Sequence, residues 1–240
     1  MDLGIAERWA SVCASSHGVG RSCAEALAAE GVNVVINGCE SAAVEQTAAE
    51  ISAVYGVDVR AVTADLTTEA GRDLLLAACS DPDILVTTNA RFEPDCLPEA
   101  TDDLAVAMRM HYLERHYWAP VALTQAVICG MRSRRFGRIV NITSGKRPAQ
   151  HPITAAPTGG QAGMNVVMKG LATQAADDNV TINQLVTVRG LSATVPARGS
   201  VRHWEELGAA CAILCSVHAS RISGIDLHVG SGYRSLALVG

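Results

Sequence analysis

Short apolar runs rich in Val and Ile recur along the chain and alternate with longer Ala-rich stretches of helical spacing. Trp9–Cys13, Val32–Asn37, Val57–Thr63, Ile84–Thr88, Arg138–Thr143, Val180–Val186 and Ile225–Val229 read as strands. Helices are predicted at Gly20–Glu30, Ser41–Val54, Thr68–Cys79, Ala100–Arg134, Gln161–Asp177 and His203–Ser216. Gly31 stops the first, and Ser41 is placed to cap the second. In the fifth, Met164, Val167, Met168, Leu171 and Ala175 fall on one stripe. Strands alternating with helices imply an α/β fold, a doubly wound seven-stranded parallel sheet covered on both faces. No linker, repeat or low-complexity tract interrupts the pattern, so residues 1–240 are expected to form a single domain.

Composition narrows the function classes. Apolar residues make up 49% of the chain and charged residues 18%, enough for a buried core and too apolar for disorder. Lys and Arg total 19 against 24 Asp and Glu, a net charge of −5, so no basic surplus exists to neutralise nucleic-acid phosphates. No apolar run approaches the ~18–20 residues that span a bilayer. Met1-Asp2-Leu3-Gly4 has neither a basic nor an apolar leader region, so a cytoplasmic location is expected.

The eight cysteines, at 13, 23, 39, 79, 96, 129, 211 and 215, include no C-x-x-C pair and no nearby His that completes a zinc set. No metal is expected. Cys211 and Cys215, one turn apart in an apolar segment, read as core.

The candidate chemistry begins after the first strand. Cys13-Ala14-Ser15-Ser16-His17-Gly18-Val19-Gly20-Arg21 is a glycine-containing turn that opens a helix. Glycines there let backbone approach a pyrophosphate, and the helix N-terminus supplies N–H donors. The turn resembles the T-G-x-x-x-G-x-G loop of short-chain dehydrogenases/reductases. The similarity continues through Ala64-Asp65-Leu66, Phe136–Ser144, Val180-Thr181-Ile182-Asn183 and Ile222-Ser223-Gly224. The chain looks like the 3-oxoacyl-carrier-protein-reductase-like members of that family. The resemblance implies a Rossmann-like domain, cofactor contacts from Ser16, His17, Gly18, Gly20, Arg21 and Asp65, and Ser144 as the catalytic serine.

Several family positions carry other residues. Pro157 and Gln161 stand where the resemblance places a proton-donating Tyr and a ribose-holding Lys. His116 falls on the family's Asn position in the fourth helix. Thr87-Thr88-Asn89-Ala90 replaces Asn-Asn-Ala-Gly, and Thr187-Val188 replaces Pro-Gly. Asn37-Gly38-Cys39 offers neither a carboxylate for a ribose hydroxyl nor an Arg for a 2′-phosphate. The stretch from Thr187 to Arg202 leaves room for only a shortened substrate lid.

These departures lead to an expectation that no cofactor is required, with NAD(P) binding weak or lost. The leading expectation for function is a non-redox acid/base enzyme acting on a carbonyl-bearing metabolite by cyclisation, isomerisation or elimination. Its catalytic candidates are His116, Ser144 and His151, with His116 near its ordinary pKa. The alternatives are a non-catalytic subunit that partners an active short-chain dehydrogenase, and an atypical NAD(P)H-dependent ketoreductase. The helices Ala100–Arg134 and Gln161–Asp177, with Tyr112, Tyr117 and Trp118, are expected to join a like subunit or a paralogue.

Overall fold

The computed structural model describes residues 1–88, 107, 110–144, 155–187 and 200–230; of residues 144, 155–159 and 200–202 it describes the backbone alone. Seven strands form one sheet: β1 (Trp9–Val12), β2 (Asn33–Gly38), β3 (Val59–Thr63), β4 (Ile84–Thr88), β5 (Gly137–Ser144), β6 (Val180–Thr187) and β7 (Asp226–Val229). Their order is β3-β2-β1-β4-β5-β6-β7, and every pairing is parallel. The order reverses between β1 and β4, so a crevice opens at the C-terminal ends of those strands.

Among the described residues the bounded α-helices are α1 (Gly18–Ala29), α2 (Ser41–Tyr55), α3 (Glu69–Ala78), α4 (Ala119–Arg134), α5 (Ala155–Ala175) and α6 (Ser200–Cys215). Val86, Val140 and Leu185 pack with α1, α2 and α6 on one face; Leu85, Ile139 and Ile182 pack with α3, α4 and α5 on the other. Successive strand residues point to opposite faces, which is why one parallel sheet builds two cores. Met164, Met168 and Ala175 of the expected stripe are buried, with Val167 and Leu171 packed at its edge.

Two local expectations change. Ser41 does not cap α2: it is the first helical residue, and its Oγ donates to Glu45 Oε1 at 2.7 Å. Thr68 caps α3 instead, its Oγ1 accepting from the Gly71 N–H at 3.0 Å. The long fourth helix is not regular, because Glu114–Trp118 forms a π-turn ahead of α4. Cys13, Cys23, Cys79, Cys211 and Cys215 are buried free thiols, and Cys39 and Cys129 are exposed. Cys96, residues 188–199 of the expected lid and residues 100–106 of the fourth helix lie outside the described residues.

Candidate active site

The glycine turn is held from below by Asn37 at the end of β2. Asn37 accepts from the Ala14 N–H at 3.3 Å through Oδ1 and donates from Nδ2 to the carbonyls of Val62 (3.2 Å) and Ala64 (3.1 Å). Its own N–H donates to Ser15 Oγ at 3.0 Å, and the Ser15 N–H donates to the Asn37 carbonyl at 2.7 Å. Sequence reasoning assigned Asn37 no role; an Asn ending a Val-Val-Ile run was the available signal.

Above this brace the backbone turns sharply, with φ of 46° at Ala14 and 61° at Gly18. A Cβ at Gly18 would meet open space, whereas one at Gly20 would strike the Ala14 carbonyl. The first turn of α1 carries no side-chain cap, so its N–H groups face outward. Ser16 is buried beneath the turn, its Oγ 3.0 Å from His17 Nδ1, while His17 is exposed at the rim. Arg21 does not reach the turn. Its guanidinium is held by Glu25 and Glu50, each at 2.8 Å.

A cleft of about 160 Å³, open to solvent, runs from this turn past Cys39 and Glu40 to Asp65 and on to Thr87 and Thr88. Burial raises the Asp65 carboxyl, but hydrogen bonds from the N–H and hydroxyl of Thr67, with Arg115 and His111 nearby, outweigh it and hold the group below its ordinary range. Arg115 lines the opposite wall. It sits beside the predicted His116 and was itself missed. Open turn amides, a carboxylate and a cationic wall along one cleft fit a dinucleotide: the turn for pyrophosphate, the Asp65 end for the adenosine half.

The three expected catalytic residues are not brought together within the described residues. Ser144 ends β5 in register with Thr187, and its side chain lies outside the described residues, as does all of His151. His116 lies in the π-turn, stacked on Tyr112 with ring centroids 3.9 Å apart and planes 18° apart. It is not among the residues lining the cleft. A π-turn inserts one residue into the helical ladder and recurs at functional positions. Here α5 accommodates it through glycines: a Cβ at Gly160 would press on Leu113 Cδ2 at 3.1 Å, and one at Gly163 on the Tyr117 ring at 3.2 Å.

The expectation of an ordinary His116 pKa fails. Burial, reinforced by the charges of Arg115 and His111, pushes it down to about 4. Above its unfolded value of 6.5 both folded and unfolded forms are neutral. As pH falls below that, the unfolded chain takes a proton that the folded one refuses, and the loss is complete near pH 4. Stability is therefore expected to drop by up to roughly 3 kcal/mol between pH 6.5 and 4. Urea denaturation of wild type and His116→Asn across this window checks it: the variant should lose that part of the slope.

A sequence model described as short chain dehydrogenase matches residues 8–198. The chain is 28% identical over 243 residues to the uncharacterized oxidoreductase YmfI of Bacillus subtilis, covering 93% of this chain and 98% of that one. It is 29% identical over 242 residues to the 3-oxoacyl-[acyl-carrier-protein] reductase FabG of Salmonella typhimurium, covering 93% and 96%. Among solved structures, L-sorbose reductase from Gluconobacter frateurii, complexed with NADPH and L-sorbose, is similar with a TM-score of 0.82 and 25% identity, covering 97% of this chain and 98% of that one. The expectation that no nicotinamide cofactor is required is thereby overturned. A fold similar over nearly its whole length holds NADPH, and the turn and cleft of this chain are open and formed. The replaced side chains misled because much of such a cradle is made of backbone.

Proposed function

Because the chain belongs to the short-chain dehydrogenase family, we propose that it is an oxidoreductase that binds a nicotinamide dinucleotide beside the glycine turn and interconverts a carbonyl and a hydroxyl group on a small metabolite. The observation that carries this reading is the braced turn: Asn37 holds it in place, its amides are uncapped, and the adjoining cleft is open. The relatives YmfI and FabG, named as oxidoreductases and similar over 93% of the chain, support it.

When bound, the dinucleotide supplies or accepts a hydride. The protein's part is to hold it. The amides of the first turn of α1 receive the pyrophosphate, with His17 at the rim. Asp65, kept ionised, accepts hydrogen bonds at the adenosine end, and Arg115 adds positive charge to the facing wall. With Pro157 and Gln161 at the positions the family gives to Tyr and Lys, the proton that accompanies the hydride comes from another donor in this reading.

A non-redox acid/base role centred on His116 is the weaker reading, since an imidazole held near pKa 4 is a poor base at neutral pH and carries no proton to give. Exposed Met110 and Trp118 beside the π-turn and Val166 on α5 support self-association through these helices, with a like copy or a relative.

Calorimetric titration with NADH and NADPH tests the proposal. Saturable binding of at least one, with a dissociation constant of ~1–100 µM, is expected. Deuteride transfer from the C4-labelled nucleotide to a panel of ketones and ketoses then identifies the substrate class. No heat with either nucleotide at millimolar concentration would overturn the proposal.

A further inference from the structure

One row of polar side chains crosses the sheet beneath the proposed nucleotide site. The register sets Thr87 beside Asn141, Asn141 beside Gln184, and Gln184 beside Asp226. Neighbouring strands lie ~4.8 Å apart, so these four residues form a continuous line across β4, β5, β6 and β7. Each is two residues beyond, or in step with, Leu85, Ile139 and Ile182, so the row lies on the face covered by α4 and α5.

Three of the four are buried, with Thr87 3% exposed, Asn141 1% and Gln184 3%; Thr124 of α4, the helix on this face, is 0% exposed. Only part of it is satisfied by the protein. Thr87 Oγ1 donates to Asn141 Oδ1, and Lys169 Nζ donates to Asp226 Oδ2 at 2.9 Å. Asn141 Nδ2, Gln184 Nε2, Thr124 Oγ1, Asn165 Oδ1 and Asp226 Oδ1 are shielded from solvent and find no partner among the described residues.

The set mixes amide donors with carbonyl, carboxylate and hydroxyl oxygens on the α4/α5 side of the sheet; Thr88 Oγ1 and Thr181 Oγ1, at the alternate strand positions that point to the other face, are shielded and unpartnered among the described residues as well. Buried polar groups without protein partners are costly, and internal waters with two to four bonds are the usual remedy. The two ends of the row also differ. Thr87 lines the cleft, whereas Lys169 and Asp226 form an ion pair that is 48% and 29% exposed.

We propose that this seam is an internal water site, a file of ordered waters held by Thr124, Asn141, Asn165 and Gln184 that connects the cleft at Thr87 with solvent at the Lys169–Asp226 pair. Asn165 extends it along α5, one helical turn from both Gln161 and Lys169. The seam gives solvent protons a route to the cleft in a chain whose Tyr and Lys positions hold Pro157 and Gln161. Only the use of those protons rests on the proposed oxidoreductase activity; the seam itself does not.

Side-chain amide exchange in the nucleotide-free protein tests it, so failure of nucleotide binding would leave the result readable. In ¹⁵N-labelled wild type, the Asn141 and Gln184 amides are expected to show direct cross-relaxation with long-lived water. They should also exchange into D₂O faster than the backbone amides of β5 and β6 that flank them. Gln184→Met breaks the file and Lys169→Met removes its surface end, and each should slow Asn141 side-chain exchange ~10-fold or more. Thr124→Val replaces Gln184→Met if that variant does not fold. Absence of water contacts in the folded wild type would overturn the proposal, as would unchanged exchange in the variants. Slowing by Gln184→Met or Thr124→Val without slowing by Lys169→Met would overturn the connection to the surface.

Discussion

Replacing Gly20 with valine is expected to weaken nucleotide binding ~100-fold or more, a loss of about 3 kcal/mol. The reason is the closeness of α1 to the turn that precedes it. A Cβ on Gly20 would drive into the Ala14 carbonyl and lie 3.0 Å from Ser15 Cα, all of it backbone that has no rotamer to change. Either α1 shifts outward or the turn opens. Both misalign the amides that receive the pyrophosphate. The same overpacking should cost roughly 1–3 kcal/mol of stability, leaving the sheet folded. Gly18→Ala is the informative comparison, because its Cβ meets open space and the cost is confined to a left-handed φ of 61°. Titration with NADPH, beside urea denaturation of both variants, separates loss of the cradle from loss of the fold. Equal affinity in wild type and Gly20→Val would show that the turn does not hold the nucleotide.

The largest stability effect is expected from Arg138→Met. Arg138 is fully buried at the start of β5, facing away from the cleft end of the sheet. Its Nε donates to the Ser216 carbonyl at 3.1 Å, and its terminal nitrogens donate to the carbonyls of Gly137 and Asn179 at 2.8 Å and to Asn179 Oδ1 at 3.2 Å. The guanidinium also lies 4.4 Å from the Phe136 ring centroid, with Arg8 at 3.4 Å from the same centroid. Burial lowers its pKa to about 10, and it stays charged at neutral pH. One cation thus ties the end of α6 and the start of β6 to β5. Methionine fills similar space but leaves these acceptors unmet, at a cost of about 3–5 kcal/mol. Thermal denaturation should show a midpoint lowered by ~10 °C. A change below ~1 kcal/mol would mean that the carbonyls find other partners.

Arg138 also illustrates what a sequence conceals. In Gly137-Arg138-Ile139-Val140 it reads as the polar start of a strand, and nothing local announces a buried cation. Its partners are Ser216 and Asn179, distant in the chain and adjacent only after folding. Asn37 is the same case, since its bonds run to Ala14, Val62 and Ala64. His116 was found at its family position, but its behaviour was not. The burial and the charges of Arg115 and His111 that lower its pKa arise where the π-turn packs against the glycines of α5.

By itself the sequence determined the alternation of strands and helices, the parallel sheet with two covered faces, the glycine turn and the family. Each is encoded by periodicity, by turn chemistry or by motifs contiguous in the chain, and tertiary contacts need not be known to read them. Tertiary structure alone decided that Arg21 pairs with Glu25 and Glu50, that Arg115 and Asp65 line one cleft, and that Thr87, Asn141, Gln184 and Asp226 stand in one row. It also left an open cleft beside the glycine turn. Side-chain identity is local, but partner, burial and field are sums over segments far apart in the chain.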